Sequence, residues 1–151
     1  MVNQYSIRLE ACKGLESLIN TCMKYGLFRE WQSKFNTPIL LAKKHRSEES
    51  VLVRDLRAIN QITMSIHPSV PNSYTLLVLA PETNAYFTFS YLKDGLFYIP
   101  VDKQRQTIFA FEWEIPIMGR NVQLRWTVLP QGFRNSPTPF GNILAKDLEQ
   151  W

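Results

Sequence analysis

Histidine and cysteine are scarce in this sequence, with two of each in 151 residues. His45 and His67 stand far apart with no Cys-x-x-Cys pair nearby, which argues against a structural zinc site. Cys12 and Cys22 make no disulfide framework, so a reducing compartment is expected. No apolar run reaches the ~18 residues that a membrane span requires. The opening MVNQYSIRLEACKGLE lacks the apolar core of a signal peptide. A cytoplasmic chain without a membrane partner is therefore the expectation. Glycine-rich phosphate loops, nucleophile elbows and zinc-helix motifs are missing too. What remains is globular in character: 45% hydrophobic, 13% aromatic and 20% charged residues exclude low-complexity disorder. The length suits one domain or a piece of a larger one.

Charge is unevenly placed. Residues 1–60 hold 10 Lys and Arg against 6 Asp and Glu, whereas residues 61–151 hold 7 of each. The basic excess of +4 thus lies wholly in the first part of the chain. It reads either as an ordinary solvated surface or as a segment that faces phosphate.

Leu15, Leu18, Ile19, Cys22 and Met23 fall on one helical stripe, closed by Gly26 where a C-terminal glycine belongs. Ile39–Ala42 and Val51–Val53 read as two strands of a hairpin with a polar tip at His45–Ser50. His67–Asn72 is a proline-bounded loop. Tyr86–Leu92 and Leu96–Val101 read as strands. So do the alternating Phe109, Phe111, Trp113 and the alternating Val122, Leu124, Trp126, Val128, joined through Met118–Asn121. Ser136 followed by Pro137 signals a helix start with a capping serine. The apolar stripe of Phe140, Ile143, Leu144 and Leu148 is still running at Trp151, so a chain cut short inside that helix is expected. The fold class is α+β.

Six short motifs stand in fixed order: Asn36-Thr37-Pro38 with Lys43-Lys44; Asp55-Leu56-Arg57-Ala58-Ile59-Asn60; His67-Pro68-x-Val70-Pro71-Asn72; Leu92-Lys93-Asp94-Gly95; Phe109-Ala110-Phe111-Glu112-Trp113; and Leu129-Pro130-Gln131-Gly132-Phe133 with Asn135-Ser136-Pro137. This series resembles retroviral reverse transcriptase, nearest to its gammaretrovirus-like branch, from about Gly14 onward. The resemblance implies an incomplete right-hand polymerase, with fingers over 1–84, palm strands over 85–105, a return to the fingers over 106–128 and the start of a palm helix over 129–151. In that family basic residues of the fingers hairpin hold the nucleotide triphosphate. Three palm aspartates hold two Mg²⁺ ions, one in a D-x-x-D-[AG]-[FY] pattern and two in a later Y-x-D-D turn. The metals activate the primer hydroxyl and stabilise the departing pyrophosphate.

Residue by residue, the resemblance implies an inactive chain. Tyr91 falls at the first metal-binding aspartate, and a phenol with a pKa near about 10 is a poor substitute for a carboxylate. Asp94, three positions on, is expected to point away from that site if the segment is a strand. No Y-x-D-D occurs in these 151 residues. No catalytic residue is intact, no metal ligand remains, and no cofactor is expected. Nucleotide-binding remnants are Lys43 (beside Lys44), Leu96 at the aromatic that excludes a ribose 2′-hydroxyl, and Gln131. Val51 stands in place of the partner arginine. Asp55 and Arg57 match the template-side D-L-R segment, with a salt bridge that ties the fingers as the alternative. Gly132 is expected to permit a turn that a side chain would obstruct. The aromatic residues Phe109, Phe111, Trp113 and Trp126 read as core.

The expected function is thus a reverse-transcriptase fragment of an endogenous retrovirus-like pol protein, without polymerase activity. A weak, sequence-independent nucleic-acid-binding module with RNA or DNA primer–template as partner is one alternative. A protein-interaction fragment is the other. Self-association is expected from an open strand edge and an uncovered helix stripe.

Overall fold

A computed structural model describes residues 2–7, 9–43, 50–67, 90–116 and 118–150. The first helix, α1, spans Leu9–Lys24. Its buried seam is Cys12, Leu15 and Ile19, with Cys22 half-buried, while Leu18 and Met23 are exposed. The buried seam is therefore narrower than the periodicity suggests. Gly26 ends the helix at φ +71, and the Leu27 N–H reaches back to the Cys22 carbonyl at 2.8 Å.

Strands β1 (Phe28–Glu30), β4 (Ala110–Ile115) and β5 (Arg120–Trp126) form an antiparallel sheet in the order β1-β5-β4. Strands β2 (Ile39–Lys43) and β3 (Ser50–Arg54) form a separate hairpin with Ile39 opposite Arg54 and Lys43 opposite Ser50. Its tip, 44–49, lies outside the described residues. Short α2 (Arg57–Ile62) follows, and α3 (Pro137–Leu148) closes the described chain.

Alternation places Phe111, Trp113, Leu124 and Trp126 on the inner face, and Phe28 joins them from β1. Phe28 meets Phe111 and Trp126 edge-to-face, with ring centroids 5.2 and 4.5 Å apart. The four aromatics read as core, Phe109 included, are buried. The hairpin is fastened to this sheet by the Asn36-Thr37-Pro38 motif. The Thr37 N–H and Oγ1–H both donate to the Ala110 carbonyl, at 2.7 and 2.8 Å. Asn36 donates to the Val2 carbonyl and accepts from the Glu112 N–H.

Two expected elements differ. Within the Leu96–Val101 strand expected from sequence, Gly95–Tyr98 is instead a 3₁₀ turn, entered through Asp94 at φ +55. Strand character survives as a bridge between Pro100 and Val128, and Pro100 has no N–H to extend it. Of the Tyr86–Leu92 strand, 86–89 lie outside the described residues, and 90–92 belong to no strand. The helix start at Pro137 agrees with the sequence signal, but Ser136 does not cap it. Its hydroxyl donates instead to the Pro130 carbonyl at 2.8 Å. Beside α3, a Cβ on Gly95 would lie 2.9 Å from the Phe140 ring, so glycine permits that approach. Among the described residues no helix is long and apolar enough to cross a membrane.

Removal of a fully enclosed ring leaves a cavity as well as a lost transfer term. Phe28→Ala is expected to lower unfolding free energy by about 3–5 kcal/mol. Denaturant titration followed by circular dichroism measures this.

Candidate functional site

The inner face of the sheet does not end at its core. Where β3 passes β5, a cleft of about 520 Å³ opens. One wall comes from Leu18 and Cys22 of α1 and Val51–Arg54 of β3, and the other from Phe97, Trp126, Asp94 and the Gln131–Gly132 turn. Four residues to which the family resemblance draws attention meet here: Val51, Asp94, Gln131 and Gly132. Asp94 and Tyr91 do part company, though not as neighbours on a strand: 91–94 belong to no strand, and Asp94, in a left-handed conformation, lines the cleft that Tyr91 does not reach. Asp94 is one exposed carboxylate, however. Tyr91, 91% exposed, is not part of the lining. Among the described residues no three His, Cys, Asp or Glu side chains converge as a metal site would need. These residues do not fit a pair of magnesium ions, which demand several carboxylate oxygens.

Leu96 is half-buried and stays out of the cleft; its neighbour Phe97 enters it and packs on Trp126 at 5.4 Å. Lys43 ends β2, and Lys44 lies outside the described residues. Gly132 adopts φ +85, yet an added Cβ would meet only Leu56 at an ordinary 3.9 Å. Glycine is needed there for backbone conformation rather than for space.

Sequence reading overlooked Arg54. Its guanidinium stacks 3.8 Å above the Trp126 ring in the cleft wall, and Nη1 is buried with no hydrogen-bond partner among the described residues. Burial pushes the Arg54 pKa down to about 9. The signal lay in period-2 alternation: Arg54 shares its strand face with Leu52, not with exposed Val51 and Val53. Also overlooked was Asn60, which donates to the Gly132 carbonyl at 2.9 Å and accepts from the Arg134 N–H at 2.9 Å. Asn135 does the same for the chain after α2, through Met64 and Ile66. Together these amides fix the Gln131–Gly132 turn against α2.

Asp55 and Arg57 occupy a different hollow, near Tyr5. Arg57 grips Asp55 through Nε at 2.9 Å and Nη2 at 2.6 Å, and the Tyr5 hydroxyl donates to Asp55 at 2.7 Å. The salt-bridge alternative for this pair is thus present in the structure. The hydrogen bonds from Arg57 and then Tyr5 hold the Asp55 carboxyl well below the usual carboxylate range.

Sequence and fold agree with known proteins. The family described as Reverse transcriptase (RNA-dependent DNA polymerase) matches residues 32–151, and the chain belongs to that family. Across 148 residues it is 45% identical to the Gag-Pol polyprotein of avian reticuloendotheliosis virus, covering 98% of this chain and 13% of that protein. Against the Gag-Pol polyproteins of baboon endogenous virus and feline leukemia virus, identity is 44% and 42% over 97% of the chain, which spans 8% and 9% of those proteins. The structure of the foamy viral protease–reverse transcriptase in complex with double-stranded DNA superposes with a TM-score of 0.72 at 28% identity, over 99% of this chain and 24% of that one. The chain is a reverse transcriptase domain fragment of retroviral Pol type.

Because Asp55 is held ionised in the folded state, its contribution is fully present at neutral pH and is lost as pH falls below about 4. Asp55→Asn should therefore lower the urea midpoint at about pH 7 and progressively less towards about pH 3. Tyr5→Phe should cost about 1 kcal/mol at neutral pH. Arg54→Met should leave the melting temperature unchanged or raise it, since it replaces a buried, incompletely paired charge.

Proposed function

We propose that this chain is a catalytically silent polymerase segment that binds primer–template weakly through the fingers side of its cleft. The supporting observation is that Tyr91, read here as the residue at the first metal-binding aspartate, is 91% exposed and that among the described residues no cluster of three metal-ligating side chains forms. The division into fingers over 1–84, palm over 85–105, fingers return over 106–128 and palm helix from 129 is part of this reading. In it, Lys43, Leu96 and Gln131 are nucleotide-binding remnants, and Asp55 with Arg57 sits on the template side. Duplex is the form to test first, since the foamy viral relative was solved with double-stranded DNA. A cytoplasmic setting belongs to the same reading and is supported by two free cysteines on one helix.

Exposed Ile143 and Leu148 on α3, at 48% and 64%, favour self-association as a second property. Sedimentation velocity should show dimers or larger species that Ile143→Glu with Leu148→Glu reduces; a concentration-independent monomer would reject it.

Primer extension decides the main reading. Purified chain should incorporate no nucleotide with Mg²⁺ or Mn²⁺, and Tyr91→Asp alone should not restore incorporation. Binding to duplex should weaken as salt rises and on replacement of Lys43 and Lys44 by Ala. Template-dependent extension above a boiled control would refute silence, and salt-independent duplex binding would refute the interface.

A further inference from the structure

The strands that line the cleft have a second face. Phe28 and Trp126 point inward, so Arg29 and Arg125, their chain neighbours, point out. The register sets these two arginines directly opposite each other, an arrangement that is unfavourable for like charges. The Trp31 N–H donates to the Gln123 carbonyl at 2.9 Å, which extends the pairing by one step and puts Trp31 on the same outer face. Arg125 then reaches diagonally and lies 3.9 Å above the Trp31 ring. Its Nε is buried without a hydrogen-bond partner among the described residues.

No carboxylate balances this pair among the described residues, where the ion pair formed is Arg57–Asp55. Glu112 shares the outer face opposite Gln123, and Glu30 lies next to Arg29 with its strand position on the other face; neither closes on an arginine. On its β4 side Arg125 faces Ala110, too small to offer an anion. The segment that leaves β1 is pinned rather than loose. The Ser33 N–H donates to Gln123 Oε1, and Gln123 Nε2 donates to the Phe35 carbonyl. Two aromatics on this pinned segment, Trp31 and Phe35, are each 45% exposed.

We propose that Arg29, Arg125 and Trp31 form a binding site for single-stranded nucleic acid on the outer face of the sheet, separate from the cleft. Two planar guanidinium forks side by side suit a phosphodiester, which would relieve their mutual repulsion. An exposed ring beside them stacks an unpaired base, which duplex does not offer. Phe35 supplies a further stacking surface four residues along. This site does not rest on the reading of the cleft, because the two faces of one sheet point in opposite directions.

Anisotropy of a fluorescein-labelled oligothymidine 15-mer with the full chain, titrated at several KCl concentrations, tests it. Arg29→Ala should weaken binding and reduce the slope of log K against log salt by about 0.7. Trp31→Ala should cost about five-fold or more, and Trp31→Phe should recover most of that loss. Lys43→Ala with Lys44→Ala should weaken duplex binding yet leave the single-strand affinity unchanged. Unchanged affinity in Arg29→Ala or in Trp31→Ala would overturn the site. Equal competition by a 15-base-pair duplex would overturn it too. Arg29 is exposed, so its variant should keep the wild-type circular dichroism spectrum.

Discussion

Thr37 directs two donors at one acceptor, the carbonyl of Ala110, and does so from a buried position. That carbonyl sits at the start of β4, and Pro38 begins the run into β2. The bond therefore joins two sheets that share no strand ladder. The Asp55 N–H donates to the Pro38 carbonyl at 2.8 Å, one rung beyond Ile39 opposite Arg54, and so closes the base of the hairpin at the same point. With that base closed and fastened to the sheet, Arg54 lands over Trp126 and the cleft acquires its second wall. An unsatisfied buried donor in place of this junction would cost about 1–3 kcal/mol and free the hairpin from the sheet.

The contacts that build the cleft are distinct from those that phosphoryl transfer would use. Phosphoryl transfer depends on positioned charge, chiefly on metals held by oxygen ligands. Here the wall is aromatic and aliphatic, with one guanidinium and one solvated carboxylate. The Asn60 and Asn135 hydrogen bonds keep the Gln131–Gly132 turn in place regardless, since they connect backbone segments and do not depend on a substrate.

Much of this was legible in the residues. The 3.6-residue stripe located α1, two β-rich runs located the β2–β3 hairpin, and the alternation of Phe111 and Trp113 against Leu124 and Trp126 gave β4 and β5 with the correct inner face. Family membership followed from motif order. Local pattern failed where long-range partners decide the outcome. Leu96–Val101 has strand composition, but its first half follows Asp94 in a left-handed conformation into a 3₁₀ turn, and Pro100, without a donor, keeps the second half to a single bridge. Ser136 has the sequence of a helix cap, and the Pro130 carbonyl competes for its hydroxyl. Alternation puts Arg54 on the face of Leu52, but its partner, a tryptophan 72 positions away, leaves no local trace.

The β5 register has a consequence for how this sequence can drift. Its odd and even positions carry opposite solubilities, with Arg125 outside and Trp126 inside. A one-residue deletion within Arg120–Trp126 would turn every later side chain to the wrong face, burying an arginine and expelling a tryptophan. The same deletion at the Met118–Gly119 turn would alter only a loop, where Gly119 has open space around it. Length changes that keep the reading frame should therefore accumulate at the turn and be purged from the strand, wherever foldedness is still under selection.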